Sequence, residues 1–126
     1  MSGNQIKRVL VVDDDLTQVK LVEALLESEG YEVTSSTQAD EGLKMALGQK
    51  PDLIILDVMM PVINGFNFCH LIKNKADCEH IQIVLVTSRS EIDDIKIGMN
   101  SGADAYLCKP IKSESLLKAI NNLQQQ

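Results

Sequence analysis

The sequence predicts an α/β protein whose parallel sheet is covered by helices on both faces. Five short apolar runs typical of buried strands alternate with segments whose apolar residues recur at helical spacing. Strict alternation of strands and helices indicates parallel strands joined by crossover helices. We therefore expect a doubly wound, three-layer sandwich of five strands and five helices. Alternation alone does not fix the strand order, for which we adopt 2-1-3-4-5, the order of flavodoxin-like sheets.

The five strands are predicted from apolar runs that are bounded by polar or turn-forming residues. The third run, DLIIL, is apolar on both faces, as expected for a strand in the middle of a parallel sheet. The predicted strands are Ile6–Val12, Tyr31–Ser36, Asp52–Leu56, Ile81–Thr87 and Ala103–Cys108.

The helices are predicted from periodicity together with signals at their ends. Asp15 begins the first helix, in a stretch, DLTQ, that resembles a capping box, and Gly30 is expected to end that helix. Thr37, Ser90 and Ser113 are expected to cap the second, fourth and fifth helices. The predicted helices are Asp15–Glu29, Thr37–Leu47, Asn64–Lys73, Ser90–Asn100 and Ser113–Leu123.

Length and composition restrict the classes of function. A chain of 126 residues that is 44% hydrophobic is expected to form one domain, residues 1–126. Its net charge of −6 argues against nucleic acid as a direct partner and against an anionic membrane surface. No apolar run approaches the roughly 18–20 residues of a membrane span, and the first residues, MSGNQIKR, lack the apolar stretch that is typical of a signal peptide. Three cysteines without CxxC spacing indicate reduced thiols in a cytoplasmic protein.

Polar side chains follow or end four of the predicted strands. Because the carboxyl ends of parallel strands meet at one edge of the sheet, we expect these side chains to share a shallow pocket. Each residue alone has an ordinary explanation, such as a helix cap or a surface charge, and their common edge is the evidence for a site. The residues are Asp13, Asp14, Asp57, Thr87, Ser88 and Lys109.

Three carboxylates at one edge of a sheet require compensation. Two carboxylates about 6 Å apart repel by roughly 3 kcal/mol at an effective dielectric constant near 20. Either their pKa values rise or a cation binds. Oxygen ligands with room for water favour Mg2+ over Ca2+, so Asp13 and Asp14 are expected to hold Mg2+, whereas Asp15 is assigned to the helix cap.

Four stretches of the chain, in this order and spacing, resemble the receiver domain of bacterial response regulators, the CheY-like proteins. They are VLVVDDD, LIILDVMMPVINGF, IVLVTSRS and GADAYLCKP. The resemblance covers nearly the whole chain, and the four motifs together are far more specific than any one of them. It implies the flavodoxin-like, CheY-like form of the doubly wound fold and a role in two-component signal transduction.

The resemblance implies that the acidic residues take part in phosphoryl transfer. Asp57 matches the phosphoacceptor of the family. Asp13 and Asp14 match the pair that holds Mg2+, to which Asp57 and the backbone carbonyl of Met59 also contribute. Lys109 matches the lysine that pairs with the phosphoryl group. An aspartate carboxylate can attack phosphorus and form an acyl phosphate, and this transfer needs mainly positioning and charge neutralisation.

The resemblance also implies a switch. Thr87 matches the hydroxyl that turns toward the phosphoryl group, and Tyr106 matches the aromatic residue that changes rotamer when Thr87 moves. Backbone N–H groups of Met59 and Ser88 are expected to bind phosphoryl oxygens. Pro110 follows the lysine, through a peptide bond that is typically cis in the family.

The implied phosphodonor is a phosphohistidine on a sensor histidine kinase or a phosphotransfer protein, as in a phosphorelay. The domain is then a phosphoprotein that catalyses its own phosphoryl transfer and dephosphorylation, and not a conventional enzyme. Phosphorylation is expected to shift the shape of the face formed by the fourth helix, fifth strand and fifth helix. That face, which includes Ile95, Tyr106 and Lys112, is expected to meet a downstream target protein. Met59 and Arg89 are expected to tune the lifetime of the acyl phosphate.

Three other functions compete with this interpretation. The stretch DDDLT fits DxDxT, the nucleophile motif of haloacid-dehalogenase-type phosphohydrolases, but Glu114 is the one acidic residue after Lys109, where those enzymes carry an acidic pair. A flavin-binding module would need a loop rich in Gly, Ser and Thr after the first strand, where this chain has aspartates. A phosphorylation-independent interaction module usually lacks part of the acidic set, which is complete here.

Overall fold

The described part of the chain forms a five-stranded parallel sheet between two layers of helices. The computed structural model describes residues 5–88 and 102–125. The strands are β1 (Arg8–Val12), β2 (Glu32–Ser36), β3 (Leu53–Asp57), β4 (Gln82–Thr87) and β5 (Ala105–Cys108). The α-helices are α1 (Leu16–Ser28), α2 (Ala39–Gln49), α3 (Gly65–Lys73) and α4 (Ser113–Gln124), with a 3-10 turn at Ala76–Cys78. The strand order is β2-β1-β3-β4-β5, so the predicted topology is confirmed. The predicted helix Ser90–Asn100 and its cap lie outside the described residues.

The sheet buries both of its faces, because successive strand residues point to opposite sides. The face that carries Leu10, Ile54 and Leu85 packs against α2 and α3, with Phe68 and Ile72 fully buried there. The opposite face packs against α1 and α4. Its buried residues include Val9, Val11, Leu53, Ile55, Val84, Val86, Val19, Val22, Leu26, Leu116, Ile120 and Leu123. All five residues of β3 are buried, as its uniformly apolar sequence predicts.

All five strands start one or two residues later than predicted. Aspartate side chains explain the two largest differences. β1 begins at Arg8 instead of Ile6, and the N–H groups of Lys7 and Arg8 donate to the Asp52 carboxylate at 3.0 Å each. β5 begins at Ala105 instead of Ala103, because the Asp104 carboxylate accepts the Ile83 N–H at 2.8 Å. In both places a carboxylate takes the position of a strand carbonyl. The other starts, at Glu32, Leu53 and Gln82, each lie one residue later.

The first helix follows its predicted end signals. Asp15 is the N-cap of α1 and its carboxylate accepts from the N–H groups of Thr17 (3.0 Å) and Gln18 (3.3 Å). The second half of the expected capping box does not form, because the Asp15 N–H donates to the Asp13 carboxylate at 2.9 Å. Gly30 follows the C-cap with φ +93°, a conformation that favours glycine.

Two predicted helix caps are wrong. α2 begins after Gln38, and not at Thr37, because the hydroxyl of Ser36 accepts the Gln38 N–H at 3.1 Å and tightens the preceding turn. α4 includes Ser113 as its first residue, and its N-cap, Lys112, makes no capping hydrogen bond through its side chain. Serine and threonine near a helix start can stabilise either the cap or the turn before it, so composition alone does not separate the two.

The structure bears on two further predictions, which concern the cysteines and membrane-spanning helices. Cys69 and Cys78 are buried and Cys108 is exposed, and none of these three described residues forms a disulfide. Within residues 5–88 and 102–125, no helix has the length and apolar character that a membrane span requires.

Candidate functional site

The structure brings the predicted site residues to the carboxyl edge of the sheet. Asp13 and Asp14 follow β1, and Asp57 is the last residue of β3. Thr87 ends β4, and Lys109 follows β5. In the parallel register Val12 is level with Leu56, Asp57 with Val86, and Thr87 with Cys108. The pocket predicted from the strand ends is therefore present.

Three carboxylates converge in this pocket. One carboxylate oxygen from each of Asp13, Asp14 and Asp57 lies within 4.8 Å of the others. Asp13 and Asp57 are each only 4% exposed, whereas Asp14 is exposed to solvent. Two unit charges at 4.8 Å repel by roughly 3 kcal/mol at an effective dielectric constant near 20. The cluster is thus electrostatically unfavourable unless a cation or a proton joins it.

Lys109 supplies part of the compensating charge. Its ammonium lies 3.1 Å from Asp13 Oδ2 and 3.5 Å from Asp57 Oδ1. Its backbone N–H donates to the carbonyl of Thr87 at 2.6 Å, which attaches the end of β5 to the end of β4. The peptide bond from Lys109 to Pro110 is cis, as expected. Among residues 5–88 and 102–125, this one ammonium faces three carboxylates.

The pKa values in the pocket reflect this imbalance. Burial, followed by the charge of Asp13, raises the pKa of Asp57 to about 6, although Lys109 and the Met59 N–H act in the opposite direction. Burial by itself lowers the pKa of Lys109. The hydrogen bond to Asp13 and the charges of Asp57 and Asp13 outweigh burial, so the pKa of Lys109 is raised.

The side chains of the cluster fit a hard divalent cation. The candidate ligands are carboxylate oxygens only, and oxygen ligands are typical of Mg2+ and Ca2+ rather than of Zn2+ or copper. The surplus of negative charge favours a cation, and the exposed Asp14 leaves one side open to water. This chemistry agrees with the magnesium site expected at Asp13, Asp14 and Asp57.

A tightly hydrogen-bonded loop follows β3. The Met59 N–H points to Asp57 Oδ1 at 3.4 Å, and the Val58 carbonyl accepts from the N–H groups of Met60 (3.2 Å) and Gly65 (2.8 Å). A Cβ added at Gly65 would lie 2.6 Å from the Asp57 carbonyl oxygen and 2.7 Å from Val58 Cα. The start of α3 therefore contacts the backbone of Asp57, the predicted phosphoacceptor. Sequence reasoning missed Gly65, although a glycine directly after the helix cap Asn64 is a signal for such an approach.

Most of the chain matches one known protein family. The family model described as "Response regulator receiver domain" matches residues 9–121. The chain belongs to this family. Protein PilH of Pseudomonas aeruginosa is 35% identical over 114 residues, which cover 90% of this chain and 94% of PilH. Response regulator PleD of Caulobacter vibrioides is 40% identical over 116 residues, which cover 92% of this chain but 26% of PleD.

Solved structures of receiver domains share the fold. Chemotaxis protein CheY4 of Vibrio cholerae superposes with a TM-score of 0.88 at 31% identity, covering 94% of this chain and 99% of that structure. The CheY-like form of the doubly wound fold, predicted from the motifs, is confirmed. Other relatives are named as DNA-binding regulators and are about twice as long as the matched region. The absence of a nucleic-acid partner therefore stays a prediction.

The two predicted switch residues of the receiver domain lie on one face of the sheet. Thr87 is level with Cys108, two residues after Tyr106, so both side chains point to the α2 and α3 side. Thr87 is 2% exposed, whereas Tyr106 is half-buried against the core of that side. Ser88, the next residue along the chain, is exposed.

Two of the predicted residues are not placed, and two others lie outside the acidic cluster. Arg89 and Ile95 lie outside the described residues. Met59 lies at the pocket rim with 61% of its surface exposed. Lys112 is exposed directly before α4. Ser36, which accepts the Asp13 N–H through its carbonyl at 3.2 Å, was missed because no pattern in the sequence distinguishes it.

Proposed function

We propose that this receiver domain accepts a phosphoryl group on Asp57 from a phosphohistidine of a sensor histidine kinase or phosphotransfer protein. The observation that carries the proposal is the buried Asp57 carboxylate, which lies beside Asp13 and Lys109 in a pocket with surplus negative charge. A carboxylate held in this way is an available nucleophile whose surroundings favour the arrival of a cation. This function places the protein in the cytoplasm, with the signalling domain of its kinase.

The reaction is a phosphoryl transfer to a carboxylate. A carboxylate oxygen of Asp57 forms a bond to phosphorus, while the bond from phosphorus to the donor nitrogen breaks and its electron pair returns to the imidazole. Asp13, Asp14, Asp57 and the Met59 carbonyl are the residues that would hold Mg2+. The chemistry supplied by bound Mg2+ is neutralisation of charge on the phosphoryl oxygens.

The other residues of the pocket contribute charge and hydrogen bonds. The Lys109 ammonium, 3.5 Å from Asp57 Oδ1, is placed to pair with a phosphoryl oxygen. The N–H groups of Met59 and Ser88 are the proposed backbone donors to the other oxygens. The domain in this scheme catalyses its own phosphorylation and dephosphorylation, so it is not a conventional enzyme.

Phosphorylation is proposed to act through Thr87 and Tyr106. A dianionic phosphoryl group would attract the Thr87 hydroxyl by a charge-assisted hydrogen bond, and Tyr106 would turn into the space that this movement leaves. A shallow pocket beside β5 is lined by Tyr106, Ile111, Lys112 and Ser115. We assign this face to the downstream target protein. Alanine at Tyr106 or Lys112 is then expected to weaken target binding while phosphorylation of Asp57 continues.

Met59 is proposed to tune the lifetime of the acyl phosphate. Its side chain is 61% exposed at the rim of the pocket, two residues after Asp57, where a hydrolytic water would approach. Met59→Asn is expected to change the rate of acyl-phosphate hydrolysis. An unchanged rate would contradict this role.

Intact-protein mass spectrometry after incubation with acetyl phosphate tests the proposal. Wild type is expected to gain one phosphoryl group only when Mg2+ is present, and Asp57→Asn is expected to gain none. Asp52→Asn is the matched control, because Asp52 lies directly before the same strand, at its opposite end, and is expected to be phosphorylated normally. No adduct on wild type would favour a phosphorylation-independent interaction module. An adduct that survives in Asp57→Asn and vanishes in Asp13→Asn would favour the phosphohydrolase.

A further inference from the structure

Two serine–glutamate hydrogen bonds lie side by side at the end of β2. Ser35 Oγ donates to Glu23 Oε2 at 2.9 Å, and Ser36 Oγ lies 3.0 Å from Glu41 Oε1. Neighbouring strand residues point to opposite faces, so Ser35 contacts α1 and Ser36 contacts α2. The two pairs join the same residue types, although the Ser36 hydroxyl also contacts the backbone of Gln38. They differ in their relation to the acidic pocket.

Ser36 connects the turn before α2 to the backbone of Asp13. Its side chain is buried, with 5% of the residue exposed, and the hydroxyl oxygen accepts the Gln38 N–H at 3.1 Å. Its hydroxyl proton faces the Glu41 carboxylate and the Gln38 carbonyl, which lies 2.9 Å away. Its backbone carbonyl accepts the Asp13 N–H at 3.2 Å, one residue beyond the last paired position of β1 and β2.

Hydrogen bonds continue from Asp13 into the pocket. Asp13 Oδ1 accepts the Asp15 N–H at 2.9 Å, and Asp13 Oδ2 lies 3.1 Å from the Lys109 ammonium. A continuous series of contacts therefore runs from Glu41 through Ser36 and Asp13 to Lys109. Ser36 and Asp13 are both buried, and hydrogen bonds in a buried network stabilise one arrangement of its members.

We propose that Ser36 and Glu41 are positioning residues for Asp13. Their hydrogen bonds fix the turn between β2 and α2, so that the Ser36 carbonyl holds the Asp13 amide and the Asp13 carboxylate stays directed at the pocket. The inference rests on the proposed function, because Asp13 is one of the residues that would hold Mg2+. Ser35 and Glu23 make the equivalent bond without contacting Asp13, so they have no such effect.

Amide hydrogen exchange of the metal-free protein tests the first step. In Ser36→Ala the Gln38 N–H loses its acceptor and the turn is free to shift. We expect the Asp13 N–H to exchange at least about fivefold faster in Ser36→Ala, since its protection depends on the Ser36 carbonyl. Ser36→Thr keeps the hydroxyl and is expected to restore slow exchange. Ser35→Ala is the matched control and is expected to leave the Asp13 amide unchanged.

The dependence of phosphoryl uptake on Mg2+ tests the second step. With acetyl phosphate as donor, Ser36→Ala and Glu41→Ala are expected to raise the Mg2+ concentration for half-maximal uptake by about three- to tenfold. Their maximal rates at saturating Mg2+ are expected to change less. Ser35→Ala and Glu23→Ala are expected to keep the wild-type Mg2+ dependence, even where they lower the unfolding temperature as much.

The outcomes separate a positioning role from a general loss of stability. Equal effects of the Ser35 and Ser36 variants on the Asp13 amide, or no effect of either, would overturn the proposal. Glu41 is exposed, so Glu41→Ala provides the decision if Ser36→Ala does not fold. If wild type takes up no phosphoryl group, the proposed function fails, and the exchange comparison in metal-free protein still decides whether Ser36 positions Asp13.

Discussion

The two ends of β3 each carry an aspartate, and the two carboxylates have different surroundings. Asp52 precedes the strand, and one of its carboxylate oxygens accepts two backbone N–H groups, those of Lys7 and Arg8, at 3.0 Å each. Asp57 ends the strand and is 4% exposed. It accepts one long hydrogen bond, 3.4 Å from the Met59 N–H, and lies 3.5 Å from the Lys109 ammonium.

The two carboxylates are expected to have opposite effects on the stability of the fold. Asp52 satisfies backbone donors where β1 begins, so its charge stabilises the edge of the sheet. Asp57 is buried close to Asp13 and Asp14, and its raised pKa shows that the folded protein opposes its ionisation. Stability is given up at the carboxyl end of the strand, which is typical of sites that must bind a charged ligand.

The largest expected effect is a gain of stability in Asp57→Asn. The pKa of Asp57 rises from 3.8 to about 6 on folding, so ionised Asp57 lowers the free energy of unfolding by roughly 3 kcal/mol above pH 6. Between about pH 4 and pH 6 the folded state keeps a proton that the unfolded chain has lost, so the penalty grows as pH rises. Urea unfolding in metal-free buffer should show the variant gaining nothing near pH 4 and about 3 kcal/mol at pH 7.

Asp52→Asn is the matched control for that experiment, and it is expected to lower the free energy of unfolding at pH 7. The amide oxygen is a weaker acceptor than a carboxylate for two backbone N–H groups, so we expect a loss of about 1 kcal/mol at pH 7. A stability difference between wild type and Asp57→Asn that does not vary with pH would contradict the contrast between the two ends. So would a gain of stability in Asp52→Asn.

A second, smaller effect is expected from two glycines that lie on either side of β3. Gly65→Ala should lower the free energy of unfolding by about 2 kcal/mol, because the new methyl group would overlap the backbone of Asp57 and Val58. Gly48, near the end of α2, has no atom within 4 Å of an added Cβ. Gly48→Ala should therefore raise stability by up to about 1 kcal/mol through better helix propensity.

The two glycine variants are also expected to differ in their effect on the loop that follows β3. Gly65→Ala should also shift the backbone amide signals of Met59 and Met60 in nuclear magnetic resonance spectra of the metal-free protein, whereas Gly48→Ala should leave them in place. Wild-type stability and unchanged amide signals in Gly65→Ala would show that the close approach of α3 to β3 does not constrain the loop.

Strand patterns predicted the architecture and most of the pocket because both depend on which residues end each strand. Apolar runs located β1, β3 and β4, and parallel pairing then placed Asp13, Asp57 and Thr87 at one edge. The details that depend on close contacts between elements were not predictable in the same way. The overlap that excludes a side chain at Gly65 depends on how closely α3 approaches β3, which no periodicity encodes.

The wrongly predicted helix cap at Thr37 also depends on contacts that the sequence pattern does not encode. Thr37 precedes a helical pattern as a cap should, yet the Ser36 hydroxyl accepts the Gln38 N–H and the helix begins two residues after Thr37. Local hydrogen bonds of serine and threonine compete with one another, and the packing of α2 against the sheet decides between them.

The smallest expected effect concerns two residues with left-handed backbone conformations on opposite sides of β3. Lys50, before the strand, has φ 48°, and Val62, after it, has φ 74°. Lys50 is the C-cap of α2, and its N–H donates to the Ala46 carbonyl at 2.9 Å, so its conformation completes a helix end. Val62 is branched at Cβ and 85% exposed, and it lies between the Pro61 carbonyl and the Ile63 N–H, which are joined by a 2.9 Å hydrogen bond.

Val62→Gly is therefore expected to raise the free energy of unfolding by about 0.5–1 kcal/mol. A β-branched residue at positive φ costs roughly 1–2 kcal/mol, and the greater freedom of glycine in the unfolded chain offsets part of the relief. Lys50→Gly should gain less, because lysine is unbranched at Cβ and its ammonium contacts Asp77 at 2.7 Å. Urea unfolding of both variants at pH 7 measures the difference. A larger gain at Lys50 than at Val62 would mean that backbone strain is not concentrated at the carboxyl end of the strand.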